Sequence, residues 1–458
     1  MTDQNKPLLV TGTVSGGLLR LTLPMILGIS SSLLAGLAET WYLGQLGTIP
    51  LAAYSFTFPV TGALMSLSLG ISIGVSSVLA RTVGSGDSDD VRRIATDGIS
   101  LVAIVMLLVT VIGELTIEPL FRALGADSST LPLVNDYMRI YYLSVMFLAV
   151  PSVGANALRA TGDASISGTI MVTGSLLQII LGPFFIFGLF GLPALGITGA
   201  AVANLIARLV LFVVTMYILA FKEHLLDYHD MQLQKVINSW KRIMAVSIPA
   251  TATNLIGPIS IAIIVSLLAS YSQETVAGFG IASRIEGLFV IPLFALSASI
   301  GPFVGQNWGA DYLQRANQAM LLSFKYSLAW GLFVAILLYV FGTSLAGQFD
   351  DNLEVIEVAS TYLLIVPLSY GTWGVLMMAS AIFNSLGKPI SSTIMSIIRM
   401  FVVYVPLAYL GEYLFGFPGI FAAAFTANLL MGIIGFGWNR KTYLPQIQRA
   451  ADPAADGD

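Results

Sequence analysis

The chain has 458 residues, 56% of them hydrophobic and only 10% charged, with mean hydropathy +0.85 and a formal net charge of -4. Soluble domains carry about 25% charged residues, so this composition is that of an integral membrane protein, and the weak acidic balance points to no nucleic-acid partner. Without cysteine there is no disulfide, thiolate nucleophile or thiolate metal site, and the only histidines, His224 and His229, fall in a polar stretch, so neither a metal centre nor a histidine base is expected in the membrane.

Residues 1–17 are polar and are expected to form a cytoplasmic N-terminal segment. The first apolar run, Leu18 to Leu43, is long enough to cross a bilayer as a helix, which takes about 20 apolar residues, and too long for the core of a signal peptide, so it is expected to be retained. It contains Pro24, which deletes one backbone hydrogen bond and frees a carbonyl one turn earlier, a ready-made bend. It also contains Glu39, whose charge would cost up to roughly 3 kcal/mol at mid-depth. At 3.6 residues per turn Gly28, Ser32, Gly36 and Glu39 share one small or polar side, which suits a neighbouring helix or a wet cavity better than lipid.

Eleven more apolar runs follow, at 51–80, 94–116, 136–160, 164–190, 194–221, 244–271, 275–303, 318–341, 358–384, 391–415 and 417–437. Twelve spans put both termini on one side. Most of the 21 Lys and Arg residues, among them Arg81, Arg92, Arg93, Arg159, Lys241, Arg242, Lys388 and Arg440, fall on the face shared with the termini. The opposite loops are largely acidic, as in Phe349–Glu357, and the positive-inside rule then places both termini in the cytoplasm of a multi-pass cell-membrane protein.

The longest polar interruption divides the chain into an N-lobe, 18–221, a cytoplasmic inter-lobe loop, 222–243, and a C-lobe, 244–437, followed by an acidic cytoplasmic tail, 438–458. The two lobes repeat one another. Pro24 returns as Pro249 and Gly84 as Gly309, while Ser167–Met171 returns as Ser391–Met395 and Ala203–Leu205 as Ala427–Leu429. A register held within a residue or two over the whole half means a duplicated six-helix unit. Six is even, so both copies face the same way, the parallel-repeat plan on which alternating access by rocking is natural. The expected fold is therefore all-α, twelve transmembrane helices in two pseudo-symmetric lobes.

Five motifs, spread over both lobes and in order, carry a resemblance: Pro24 with Glu39–Gly47, Ala80–Asp87, Asn156–Asp163, Pro302–Asp311 and Phe383–Pro389. Over nearly its full length the chain resembles the multidrug and toxic compound extrusion (MATE) family. The resemblance implies export of amphipathic, often cationic compounds in exchange for protons or sodium. In that family an acid, most often aspartate, stands at the position of Glu39. A DinF-like branch adds an asparagine and an aspartate before a proline in the fifth helix, where this chain has Gln178 and Gly182 ahead of Pro183. A NorM-like branch uses acids in the seventh and tenth helices, and 244–271 and 358–384 contain none. The chain looks DinF-like, with a reduced N-lobe site.

Glu39 is the expected cation-coupling residue; its repeat mate is Ile264, so the acid belongs to one lobe. Tyr137, Gln178 and Asn204 are expected beside it by family position, with Asn156 a further N-lobe residue before a loop glycine and Pro24 the hinge. Arg208, Arg284 and Arg399 lie within spans, and Arg284 and Arg399 are candidate C-lobe substrate contacts. Cations lining a cavity would repel cationic cargo, which opens anionic or zwitterionic substrates. The expected function is a proton-coupled antiporter in which TM1 bends at Pro24. Alternatives are sodium coupling or a lipid-linked precursor flippase. An enzyme would need paired acids or a Ser/His dyad at depth, and none is visible. The expected partners are membrane lipids and small amphipathic substrates, the expected state a monomer, and no cofactor is expected beyond the coupling ion.

Overall fold

The structure is a computed structural model that describes residues 9–227 and 232–451, with side chains described through 448. His229, the first eight residues and 452–458 of the expected tail lie outside the described residues. The helices are α1 (Val14–Gly44), α2 (Thr48–Ser85), α3 (Ser88–Ala123), α4 (Leu131–Thr161), α5 (Ala164–Phe187), α6 (Ile197–Tyr217), α7 (Leu233–Leu268), α8 (Gln273–Phe289), α9 (Ile291–Gly309), α10 (Leu313–Ala346), α11 (Leu353–Ile365), α12 (Tyr370–Ser385), α13 (Pro389–Ile397), α14 (Val405–Phe415) and α15 (Phe417–Ala451). A π-helical stretch, Ile398–Tyr404, joins α13 to α14, and Val366–Ser369 joins α11 to α12.

Among the described residues eleven helical runs are long and apolar enough to cross a bilayer, and the pair α8–α9, bent by 46°, supplies the twelfth. The bend falls where Pro292 withholds its backbone N–H. Trp330 on α10 donates its indole N–H to the Phe289 carbonyl at 2.8 Å, so that oxygen is satisfied. Several helices outrun the apolar stretches. α1 starts at Val14, α7 at Leu233 inside the expected inter-lobe loop, and α15 continues to Ala451. Polar residues continue a helix past the apolar core because each added turn still closes its own backbone hydrogen bonds.

The repeated motifs are helix punctuation. Gly86 (φ +80°) ends one helix and Asp87 starts the next, its side chain accepting from Asp90 N at 3.0 Å. Gly162 (φ +109°) and Asp163 repeat the device, with Asp163 accepting from Ser165 N at 2.9 Å. Gly387 (φ +74°) serves the same turn in the second half, where Pro389 opens α13.

The chain divides into two compact units. One is Leu23–Val83 with Asp87–Thr251; the other is Ala252 onward with Gly84–Gly86 and the chain up to Thr22. The divisions in α1 and α7 thus fall beside Pro24 and Pro249, which are repeat mates. The first unit is built round an apolar cluster containing Ile71, Val102, Met138, Val153 and Ala201. Its helices approach closely at glycines: a Cβ on Gly168 of α5 would lie 2.6 Å from the Pro24 carbonyl oxygen. The second unit has its own cluster, with Ala282, Val334, Ala359 and Phe421, and there Gly331 of α10 and Gly371 of α12 meet backbone to backbone.

Candidate functional site

Glu39 sits near the end of α1 and is 7% exposed. Its carboxylate gathers donors from three helices. Asn204 Nδ2 of α6 donates to Oε1 at 2.8 Å, Gln178 Nε2 of α5 to Oε2 at 2.8 Å, and Tyr137 Oη of α4 to Oε1 at 3.3 Å. The expected neighbours Tyr137, Gln178 and Asn204 therefore converge on the acid. Tyr137 is no interfacial aromatic: it is 2% exposed, stacked on Tyr141 and edge-on to Tyr54 of α2. The Tyr54 hydroxyl faces the carboxylate as well.

Sequence reasoning missed Tyr54, which sits in a run rich in aromatics with nothing local to single it out. Arg208 of α6 stands behind this cage, its Cζ 4.5 Å from the Tyr141 ring centroid and its Nη1 2.6 Å from Ser144 Oγ. Each hydrogen bond to the charged acid is worth about 1.5–3 kcal/mol, so the cage offsets much of the cost of burying a carboxylate.

Gly182, where the resemblance implied an acid, has a local reason. Tyr42, one turn after Glu39, donates its hydroxyl to the Ile179 carbonyl at 3.2 Å and lays its ring on Gly182. A Cβ at position 182 would come within 3.1 Å of that ring, so the aromatic fills the volume a second acid would need.

Asn156 is not brought to Glu39. Its Nδ2 donates to the Ser152 carbonyl at 2.9 Å and its Oδ1 accepts from Arg159, which itself reaches Met25 Sδ at 2.9 Å beside Pro24. It belongs to the surroundings of the proline because it lies five turns from Tyr137 on the same helix. Pro24 lies inside an uninterrupted α1 and packs against Gly168.

In the second unit Arg399 donates to Asn428 Oδ1 at 3.0 Å, and Asn428 Nδ2 donates to Ser369 Oγ at 3.1 Å. Arg284 is exposed on α8. Arg208, Arg284 and Arg399 lie within 4 Å of no carboxylate among the described residues. Glu286, two residues on from Arg284, is gripped by two tyrosines: Tyr362 and Tyr370 both donate to its Oε2, the latter at 2.9 Å. Among the described residues no cluster of three or more His, Cys, Asp or Glu is placed to hold a metal ion.

A duplicated helical membrane fold with a buried, caged acid has the plan of a membrane transporter. The MatE family profile matches residues 24–184 and again 249–410, once in each half. The chain belongs to this family of MATE transporters, and it is a multi-pass cell-membrane protein and not an enzyme. It is 37% identical over 425 residues to a FAD transporter of Shewanella oneidensis, covering 93% of this chain and 94% of that one. It is 25% identical over 417 residues to the probable multidrug resistance protein YoeA of Bacillus subtilis, covering 88% and 89%. The bent form of the Vibrio cholerae MATE transporter VcmN superposes with a TM-score of 0.89 at 28% identity, covering 95% of this chain and 98% of that one.

Proposed function

We propose that this chain exports an anionic flavin dinucleotide in exchange for protons, with Glu39 as the proton carrier. The observation that carries the reading is the cage: the Glu39 oxygens face the hydrogens of Tyr137, Asn204 and Gln178. A hard cation such as sodium wants several oxygen ligands, whereas a proton needs one carboxylate oxygen. These bonds tie α1 to α4, α5 and α6. Protonation turns charge-assisted bonds into neutral ones, each falling from about 1.5–3 to about 0.5–1.5 kcal/mol. The upper part of α1 is then released and bends at Pro24, where the Arg20 carbonyl has no proline N–H to bind.

The relative named a FAD transporter supports the cargo, and so do Arg208, Arg284 and Arg399, cations on apolar helices with no carboxylate within 4 Å among the described residues. Guanidinium groups suit phosphates and repel organic cations. Export of an anion and entry of protons both draw on the membrane potential, at about 2.3 kcal/mol per charge per 100 mV. A second cargo class, amphipathic and often cationic drugs, is favoured by the relative named for multidrug resistance.

The test is uptake of FAD and, separately, of ethidium into inside-out membrane vesicles, with imposed pH or sodium gradients. FAD uptake driven by a pH gradient without sodium is expected. Ethidium uptake without FAD uptake moves the cargo to the second class, and strict sodium dependence removes the proton.

A further inference from the structure

The second unit holds a carboxylate that the mechanism above does not use. Glu286 leaves α8 one turn before its end and meets Tyr362 of α11 and Tyr370 of α12, both hydroxyls donating to Oε2. Glu286 Oε1 has no hydrogen-bond partner among the described residues. The other charged or titratable groups facing this carboxylate are Arg399 and Tyr404 from the stretch Ile398–Tyr404. Neither tyrosine–carboxylate contact is local in sequence, and Tyr370 is wholly buried, so the acid is held and does not dangle.

The repeat register gives this cluster its meaning. Tyr362 is the mate of Tyr137, Ser369 of Ser144, and Asn428 of Asn204. All three N-half residues belong to the surroundings of Glu39: Tyr137 and Asn204 touch it, and Ser144 holds Arg208. Their mates make the corresponding arrangement, with Asn428 and Ser369 joined to Arg399 and Tyr362 on Glu286. The rest differs: Tyr54 and Gln178 have Phe279 and Val403 as mates, Tyr370 has Val145, and the charged members have moved. The acid comes from the first helix in one half and the second in the other, since the mates of Glu39 and Glu286 are Ile264 and Thr61. The arginine comes from α6 in one half and from the α13–α14 run in the other. A shared frame of one tyrosine, one serine and one asparagine has thus received an acid and an arginine twice, along different routes.

We propose that Glu286 is a second proton site, so that two protons enter per transport cycle, one on each half. The proton binds at Oε1 from water on one side of the membrane and leaves as the same proton on the other, with no other bond made or broken. This rests on proton coupling at Glu39, and the two readings part experimentally.

In proteoliposomes at zero membrane potential, the FAD gradient at which net flux stops is measured against the imposed pH gradient. Two protons balance about a hundredfold cargo gradient per pH unit, and one proton about tenfold. Wild type is expected on the steeper line and Glu286→Gln on the shallower one. A tenfold line for wild type, or an unchanged line for Glu286→Gln, overturns the second site while leaving Glu39 coupling intact. Absence of pH-driven flux of both FAD and ethidium in wild type instead defeats the coupling reading, and if ethidium alone is carried the same slopes are read with it.

Infrared titration of the purified protein asks about Glu286 without reference to cargo. A carboxyl band missing in Glu286→Gln, restored in Glu286→Asp, and shifted in its midpoint in Tyr362→Phe is expected. A spectrum identical in wild type and Glu286→Gln across the pH range overturns the proposal whatever the cargo.

Discussion

At the scale of the residue, Glu39 earns its place by contacts that no neutral side chain reproduces. Glu39→Gln keeps the size but replaces the titrating acid, and export is expected to fall to background in vesicles that contain normal amounts of the protein. Glu39→Asp retains measurable export because the shorter acid still titrates. Asp127, in the turn before α4, offers a pH test away from the membrane core. Its Oδ1 accepts from Ser129 N at 3.0 Å, Thr130 N at 2.9 Å and both hydroxyls, which hold its carboxyl down at about 2. A depressed carboxylate adds stability that is present above its unfolded value near 4 and lost as pH falls through the folded one. Asp127→Asn is therefore expected to lower the melting temperature at neutral pH, with the gap to wild type constant down to about pH 4 and closing towards pH 2. Of the residues round Glu39, Tyr137, Gln178 and Asn204 were legible through family position, while Tyr54 was not, and in the second unit neither was Glu286. Glu286 lies two positions from Arg284 and so points elsewhere on the helix, and nothing local singles it out. What identifies it is contact with Tyr362 and Tyr370, 76 and 84 residues away. The retained mates Tyr137–Tyr362 and Asn204–Asn428 were nevertheless in the sequence, and a search by register rather than by charge would have found the cage.

At the scale of the element, glycine sets how near two helices come. A Cβ on Gly331 would lie 2.0 Å from the Gly371 nitrogen, a distance only backbone movement relieves. Gly331→Ala is expected to cost about 1–3 kcal/mol, read as a lower melting temperature in detergent. The apolar runs marked the spans well because lipid imposes both length and composition. Helix ends were less legible. Beyond the hydrocarbon, hydropathy no longer separates helix from loop, and α7 begins eleven residues before its apolar run starts at 244. The break between α8 and α9 was also hidden, since 275–303 reads as one continuous apolar stretch and Pro292 alone does not distinguish a bend from a tolerated proline.

At the scale of the whole molecule, the duplication was visible from loop motifs alone, and the family profile falls on each half in turn. Which side the loops face rests on their charge, and the absence of cysteine makes that easy to test. A single Asp351→Cys, between α10 and α11, is expected to react with a membrane-impermeant maleimide on intact cells. Asp89→Cys, at the start of α3, should react only after permeabilisation; the reverse pattern would invert the topology. The Gly–Asp turns described above have a mechanical consequence. With Gly86–Asp87 as the whole link between α2 and α3, and Gly162–Asp163 between α4 and α5, these hairpins are leashed at one end. Leashed rods cannot slide lengthwise past each other; they can only fan apart at the opposite tip. The longer link between α5 and α6 gives no such play either, because the Leu195 and Gly196 amides donate back to the Phe185 and Ile186 carbonyls at 3.0 and 3.1 Å and moor it to the end of α5.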